Sequence, residues 1–134
     1  MSTHQLYHVF LSFFFLICTA CENDVAYPTS FSGQAFLDDG KAASGHVIFV
    51  RGIREKVCPP IVYCNEQEAI SSDSVLTNFE GRFTLSLPAD PEIDYYSVRM
   101  EGILPGANAC FTYSEIVYPG DQASDIILRL YCDE

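Results

Sequence analysis

Tryptophan is absent from the 134 residues, basic side chains number 7 against 18 acidic ones, and His46 is the one histidine beyond residue 8. Each scarcity excludes something. A formal net charge of −11 repels a phosphate backbone, so nucleic acid is excluded as a partner. It also disfavours direct adhesion to anionic lipid headgroups, and its ordinary consequence is solubility. With one late histidine and no C-x-x-C pair among the four cysteines beyond Cys21 there is no zinc-ligand spacing in that part of the chain. No Gly-rich phosphate loop, EF-hand loop or His-Glu-x-x-His occurs. The apolar run at residues 9–17, broken by Ser12, falls short of the about 20 residues a membrane-spanning helix needs.

What is present begins with that run. It has the length of a signal-peptide core, and it leads through Thr19-Ala20 to Cys21. A short apolar core, small residues and then a cysteine resemble a bacterial lipoprotein signal, in which the cysteine is acylated and becomes the first mature residue. The n-region lacks Lys and Arg, with His4 and His8 in their place, and Cys18 stands where such signals usually carry Leu. An ordinary secretory signal and a retained anchor are the competing readings. Cleavage before Cys18 would leave Ile17 at the site, whereas Ala20 before Cys21 fits a small-residue rule. The expected organisation is a signal peptide at 1–20, a lipidated tether at 21–30 and one domain at 31–134. Membrane contact would run through the anchor at Cys21. Glu22-Asn23-Asp24 resembles the acidic stretch that sends many Bacteroidota lipoproteins to the cell surface, so the expected location is the cell envelope, at the outer membrane.

All acidic and basic side chains lie beyond Cys21, and so do Cys58, Cys64, Cys110 and Cys132. An even number of cysteines in an exported small domain predicts disulfides. The segment carries short two-residue alternations separated by turn residues, with no 3.6-residue period. Strands are predicted at 31–37, 46–50, 74–79, 82–87, 94–100, 109–118 and 124–131. Residues 51–71 read as a long irregular loop, 102–108 as another, and 74–79 with 82–87 as a hairpin around Glu80-Gly81. Across a hairpin, facing residues keep a constant sum of residue numbers. If 119–123 is the last loop, Tyr118 faces Ser124, and Cys110 then faces Cys132. That pairing leaves Cys58 with Cys64 around Pro59-Pro60, although a strand bulge would open the two other pairings.

Seven such strands predict an antiparallel β-sandwich or barrel. The residues Gly33-Gln34-Ala35-Phe36-Leu37-Asp38-Asp39-Gly40-Lys41, then Ala43-Ser44-Gly45-His46-Val47-Ile48-Phe49-Val50, are similar to the opening of carboxypeptidase regulatory-like domains. Thr77-Asn78-Phe79-Glu80-Gly81-Arg82-Phe83 resembles their Thr-Asp-x-x-Gly-x-Phe signature, with Asn for Asp. Leu87-Pro88-Ala89 and a late Gly120 before 125–130 also fit. The resemblance implies an all-β, transthyretin-like (Ig-like) seven-stranded sandwich over about residues 31–131. The signature is a folding motif: Asn78 bonds the turn backbone, Gly81 takes positive φ and Phe83 enters the core.

Chemistry is sparse. His46 would be the base of a hydrolase, yet it begins an apolar strand, where a structural histidine fits better. Asp90, Glu92 and Asp94 read as a solvated loop rather than paired glycosidase acids. Asp38-Asp39-Gly40 reads as a turn rather than a Ca²⁺ loop. Transthyretin-like folds include 5-hydroxyisourate hydrolase, but its histidines and its Tyr-Arg-Gly-Ser tail have no counterpart in this chain. The expectation is a non-enzymatic envelope lipoprotein with no cofactor and no metal, acting as a binding or assembly module for a protein or glycan. Tyr27, Tyr63, Tyr95, Tyr96, Tyr113, Tyr118 and Tyr131 would supply a platform or strand-packing rings. The alternative is a carbohydrate-binding accessory lipoprotein of a glycan-uptake system. A hydrolase comes third.

Overall fold

A computed structural model describes residues 26–60, 66–102 and 109–133. Within them nine strands follow in order: β1 (Thr29–Phe36), β2 (Val47–Glu55), β3 (Gln67–Leu76), β4 (Arg82–Leu87), β5 (Tyr95–Glu101), β6 (Ala109–Phe111), β7 (Glu115–Val117), β8 (Gln122–Arg129) and β9 (Tyr131–Asp133). They form a three-stranded sheet β4-β1-β8, a four-stranded sheet β3-β2-β5-β7 and a two-stranded ribbon β6-β9. The domain is all-β.

Period-two alternation builds the core. In β2, Ile48 and Val50 point inward and face Met100 and Val98 of β5. The other sheet contributes Phe31 and Ala35 from β1, Phe83 and Leu87 from β4, and Ile126 and Leu128 from β8. These side chains belong to one buried cluster, and the rings of Phe31 and Tyr96 meet edge to face at 5.2 Å, so the two sheets share that core. Each large apolar side chain taken fully out of water contributes about 1.5–3 kcal/mol before ordering costs. Gly33 sits at a register shift between β1 and β8, where a Cβ would come within 2.0 Å of the Ile126 carbonyl oxygen. Only glycine fits that approach.

The structure corrects several expectations. β1 pairs with β8 in parallel, not antiparallel. β1 also starts inside the expected tether, at Thr29. The predicted strand at 109–118 is two strands, β6 and β7, separated by residues 112–114, and β9 follows β8 separately. The hairpin around Glu80-Gly81 does not form: β3 pairs with β2, β4 pairs with β1, and residues 77–81 carry the chain from one sheet to the other. The last hairpin fails likewise, because β7 joins β5 and β8 joins β1.

Much of the expected loop at 51–71 is strand, since β2 runs on to Glu55 and β3 begins at Gln67. Its signal was hidden by charge. Arg54 and Glu68 are cross-strand partners with a 3.0 Å ion pair, and Lys56 reaches Glu66 at 3.0 Å. Apolar alternation is therefore missing where the strands pair. The Arg54 guanidinium holds the Glu68 carboxyl below its ordinary range, by hydrogen bond first and charge second.

Candidate functional site

The chain enters the domain at one pole. The Ser30 N–H donates to the Asp121 carbonyl at 3.0 Å, and the Gly120 N–H donates to Thr29 Oγ1 at 2.8 Å. From there β1 runs about 26 Å at the usual strand rise. At its far end the Leu130 N–H donates to the Phe36 carbonyl at 2.9 Å and leads the chain into β9.

That far pole carries the ribbon. Cys110 of β6 and Cys132 of β9 are register partners joined by a disulfide. Thr112 fastens the ribbon to β5, its Oγ1 donating to the Met100 carbonyl at 3.0 Å and accepting the Met100 N–H at 3.1 Å. Around this anchor three rings stand in solvent: Phe111 is 47% exposed, Tyr113 71% and Tyr131 37%. Phe111 and Tyr131, partners across the ribbon, stack with centroids 5.8 Å apart and planes 29° from parallel. Tyr113 stands edge-on to both, at 5.8 Å and 5.6 Å. The contacts join three large exposed side chains into one cluster, and side chains already in contact have less ordering cost left to meet in an association. Such rings offer apolar faces, and the two tyrosines add hydroxyls.

Sequence reasoning named Tyr113 and Tyr131 among all the tyrosines and did not single out Phe111. The signal existed. The number sum that pairs Cys110 with Cys132 also pairs Phe111 with Tyr131, and Tyr113 lies two residues on. The other tyrosines scatter: Tyr96 is buried in the core, Tyr95 is half-buried, and Tyr27 and Tyr118 are exposed near the entry pole. Tyr63 lies outside the described residues, as do Cys21 and Cys64. Cys58 is disulfide-bonded.

The residues considered for chemistry act as fasteners. The His46 N–H donates to Thr77 Oγ1 at 2.9 Å, its carbonyl accepts the Thr77 N–H at 2.9 Å, and its Nδ1 lies 3.0 Å from the Ser44 carbonyl. Thr77 is buried, and its hydroxyl donates to the Ala43 carbonyl. Asn78 Oδ1 accepts the N–H groups of Glu80 and Arg82 at 2.9 Å each, Gly81 has φ +74°, and Phe83 is buried. Asp90 Oδ1 accepts the Glu92 N–H at 2.9 Å, and Asp94 Oδ2 accepts the Glu55 N–H at 2.7 Å. Asp39 takes the Lys41 N–H and ammonium at 3.0 Å, and the Lys41 N–H above all holds its carboxyl below the ordinary range. Among the described residues no group of three His, Cys, Asp or Glu is placed to hold a metal ion.

No family model, curated protein or solved structure matches the chain. Phe111, Tyr113 and Tyr131 thus form a cluster of mutually touching exposed rings on the described surface.

Proposed function

We propose that the protein is a lipid-anchored component of the bacterial envelope, tethered at Cys21 to the outer membrane, which binds or assembles with a partner and does no chemistry on it. The observation that carries the binding role is the exposed Phe111–Tyr113–Tyr131 cluster at the pole remote from chain entry. A tether at one pole would turn that cluster away from the membrane. Two sheets sharing one core, and the Thr77 to Phe83 turn with its two Asn78 bonds, support the finer reading of the fold as a transthyretin-like sandwich of the carboxypeptidase regulatory-like kind.

The anchor is tested with Cys21→Ser. The variant should leave the membrane fraction or remain unprocessed, and the wild-type N-terminal peptide should carry the acyl mass. A variant that fractionates like wild type with the same acyl mass would sink the reading.

The stacked, exposed rings also favour the second reading, a carbohydrate-binding accessory lipoprotein, because apolar ring faces receive the apolar faces of neutral sugars. Affinity electrophoresis through gels containing neutral polysaccharides separates the two. A glycan binder is retarded, and the triple variant Phe111→Ser, Tyr113→Ser, Tyr131→Ser is not. Equal mobility of both proteins in every gel rejects the glycan and leaves a protein partner.

A further inference from the structure

The entry pole has a surface of its own. Tyr27, two residues before β1, is 65% exposed. Tyr118, at the turn that hydrogen-bonds the start of β1, is 60% exposed. With Ile116, 57% exposed, and Val57, 99% exposed, Tyr118 lines a groove of about 490 Å³. Ile116 and Tyr118 reach it from the β7 edge of the four-stranded sheet and Val57 from just beyond the end of β2, so residues distant in sequence gather their apolar groups at one place. Nothing in the packing of the core requires this, since none of the four belongs to the buried cluster.

We infer that this pole lies against the bilayer interface, with Tyr27, Val57, Ile116 and Tyr118 seated at headgroup level. The inference rests on the lipoprotein reading of Cys21. Its physical basis is the length of the tether and the place where it arrives. Five residues lie between Cys21 and Tyr27, six steps along the chain, and an extended chain spans at most about 3.3–3.6 Å per residue, so the entry pole stays within about 20 Å of the acylated residue. At that distance the domain meets the membrane constantly, and the ordering cost of docking is small because the anchor has already met it. Tyrosine is the side chain suited to the interface, with an apolar ring below and a hydroxyl in the wet headgroup layer. The aromatic cluster at the far pole is kept free for its partner by the same orientation.

Charge sets the lipid class. Glu55 and Asp94 line the same groove. These carboxylates repel anionic headgroups and tolerate zwitterionic ones, so the surface fits a zwitterionic interface and a shallow seat.

The chain lacks tryptophan, so a single introduced indole reports its own position. The full-length, processed lipoprotein is reconstituted into phosphatidylcholine–phosphatidylethanolamine vesicles as Tyr118→Trp, Val57→Trp or Phe79→Trp. Phe79 is 81% exposed in the turn beyond β3, near the far end of β1, and serves as the control. Brominated lipids should quench the indoles at 118 and 57 several-fold more than the one at 79, with a blue shift, and anionic lipid should reduce the difference. Acyl mass is read on the same samples. An acylated Cys21 with equal quenching at 118, 57 and 79 overturns the docking and leaves the lipoprotein standing. An unacylated Cys21 overturns both. A blue shift at 118 that follows protein density rather than lipid bromination means a second copy covers this face, and overturns the docking as well.

Discussion

Cys110 and Cys132 face each other at the centre of a three-residue ribbon, their Cα atoms 4.1 Å apart, although the strands between them in the chain go to different sheets. The bond therefore closes a loop containing β7 and β8, and it holds in place the two strands that present Phe111 and Tyr131.

Replacing both cysteines by serine should lower stability by about 3 kcal/mol, the loop-entropy value for a separation of 22 residues. It should also abolish the aromatic near-ultraviolet dichroism of the cluster while the core stays folded. Urea unfolding followed by far- and near-ultraviolet signals checks both. An unchanged near-ultraviolet spectrum would mean that ring contacts alone hold the cluster.

Thr77→Val keeps the shape of a buried side chain and removes a hydroxyl that serves both the His46 N–H and the Ala43 carbonyl. Leaving those backbone groups unpaired should cost about 2–3 kcal/mol, and Thr77→Ser should recover most of it. Equal midpoints for the valine and serine variants would show that the hydroxyl contributes nothing.

The next turn separates two kinds of constraint. Asn78→Ala removes an acceptor for two exposed N–H groups and should cost about 1 kcal/mol. Gly81→Ala must hold φ near +74° and bring a Cβ within 2.4 Å of the Ala35 carbonyl oxygen, so the backbone itself must shift. Thermal unfolding should rank Gly81→Ala clearly below Asn78→Ala, and the reverse order would contradict the geometry.

Tyr96 predicts an alkaline loss of stability. Burial pushes its phenol above the ordinary value of 10.0, the Thr29 hydrogen bond opposes the rise, and the Asp90 and Asp73 charges add to it. The folded chain thus holds this proton more tightly than the unfolded one. The associated stability is complete below pH about 10 and is lost as pH rises through the folded value. Tyr96→Phe should be less stable overall at neutral pH where the Thr29 bond is lost, yet show a flatter decline above pH 10. Parallel declines for both proteins would assign the effect to other groups.

Local chemistry was legible. Alternation at 82–87 and 94–100 located β4 and β5 closely, and the roles expected of Asn78, Gly81 and Phe83 are those they take, because a turn depends on residues within a few positions. The Cys110–Cys132 register was also within reach, though for a different reason than expected. The two short strands pair directly, without the hairpin that was supposed to align them. The polar strand halves at 51–55 and 67–73 were missed because cross-strand ion pairs such as Arg54–Glu68 replace apolar alternation there.

By itself the sequence determined the all-β class, the turn roles of Asn78 and Gly81 and the acidic composition, since each follows from side-chain period, backbone preference or composition. Tertiary structure alone decided which strands are neighbours. β3 and β4 adjoin in sequence yet part into two sheets, while β1 and β8 are distant and pair in parallel across a glycine contact. Alternation says which side of a strand is apolar and nothing about which edge will satisfy its backbone hydrogen bonds. The same long-range choice gathered Phe111, Tyr113 and Tyr131 into one cluster, for ring contacts depend on where strands end in space.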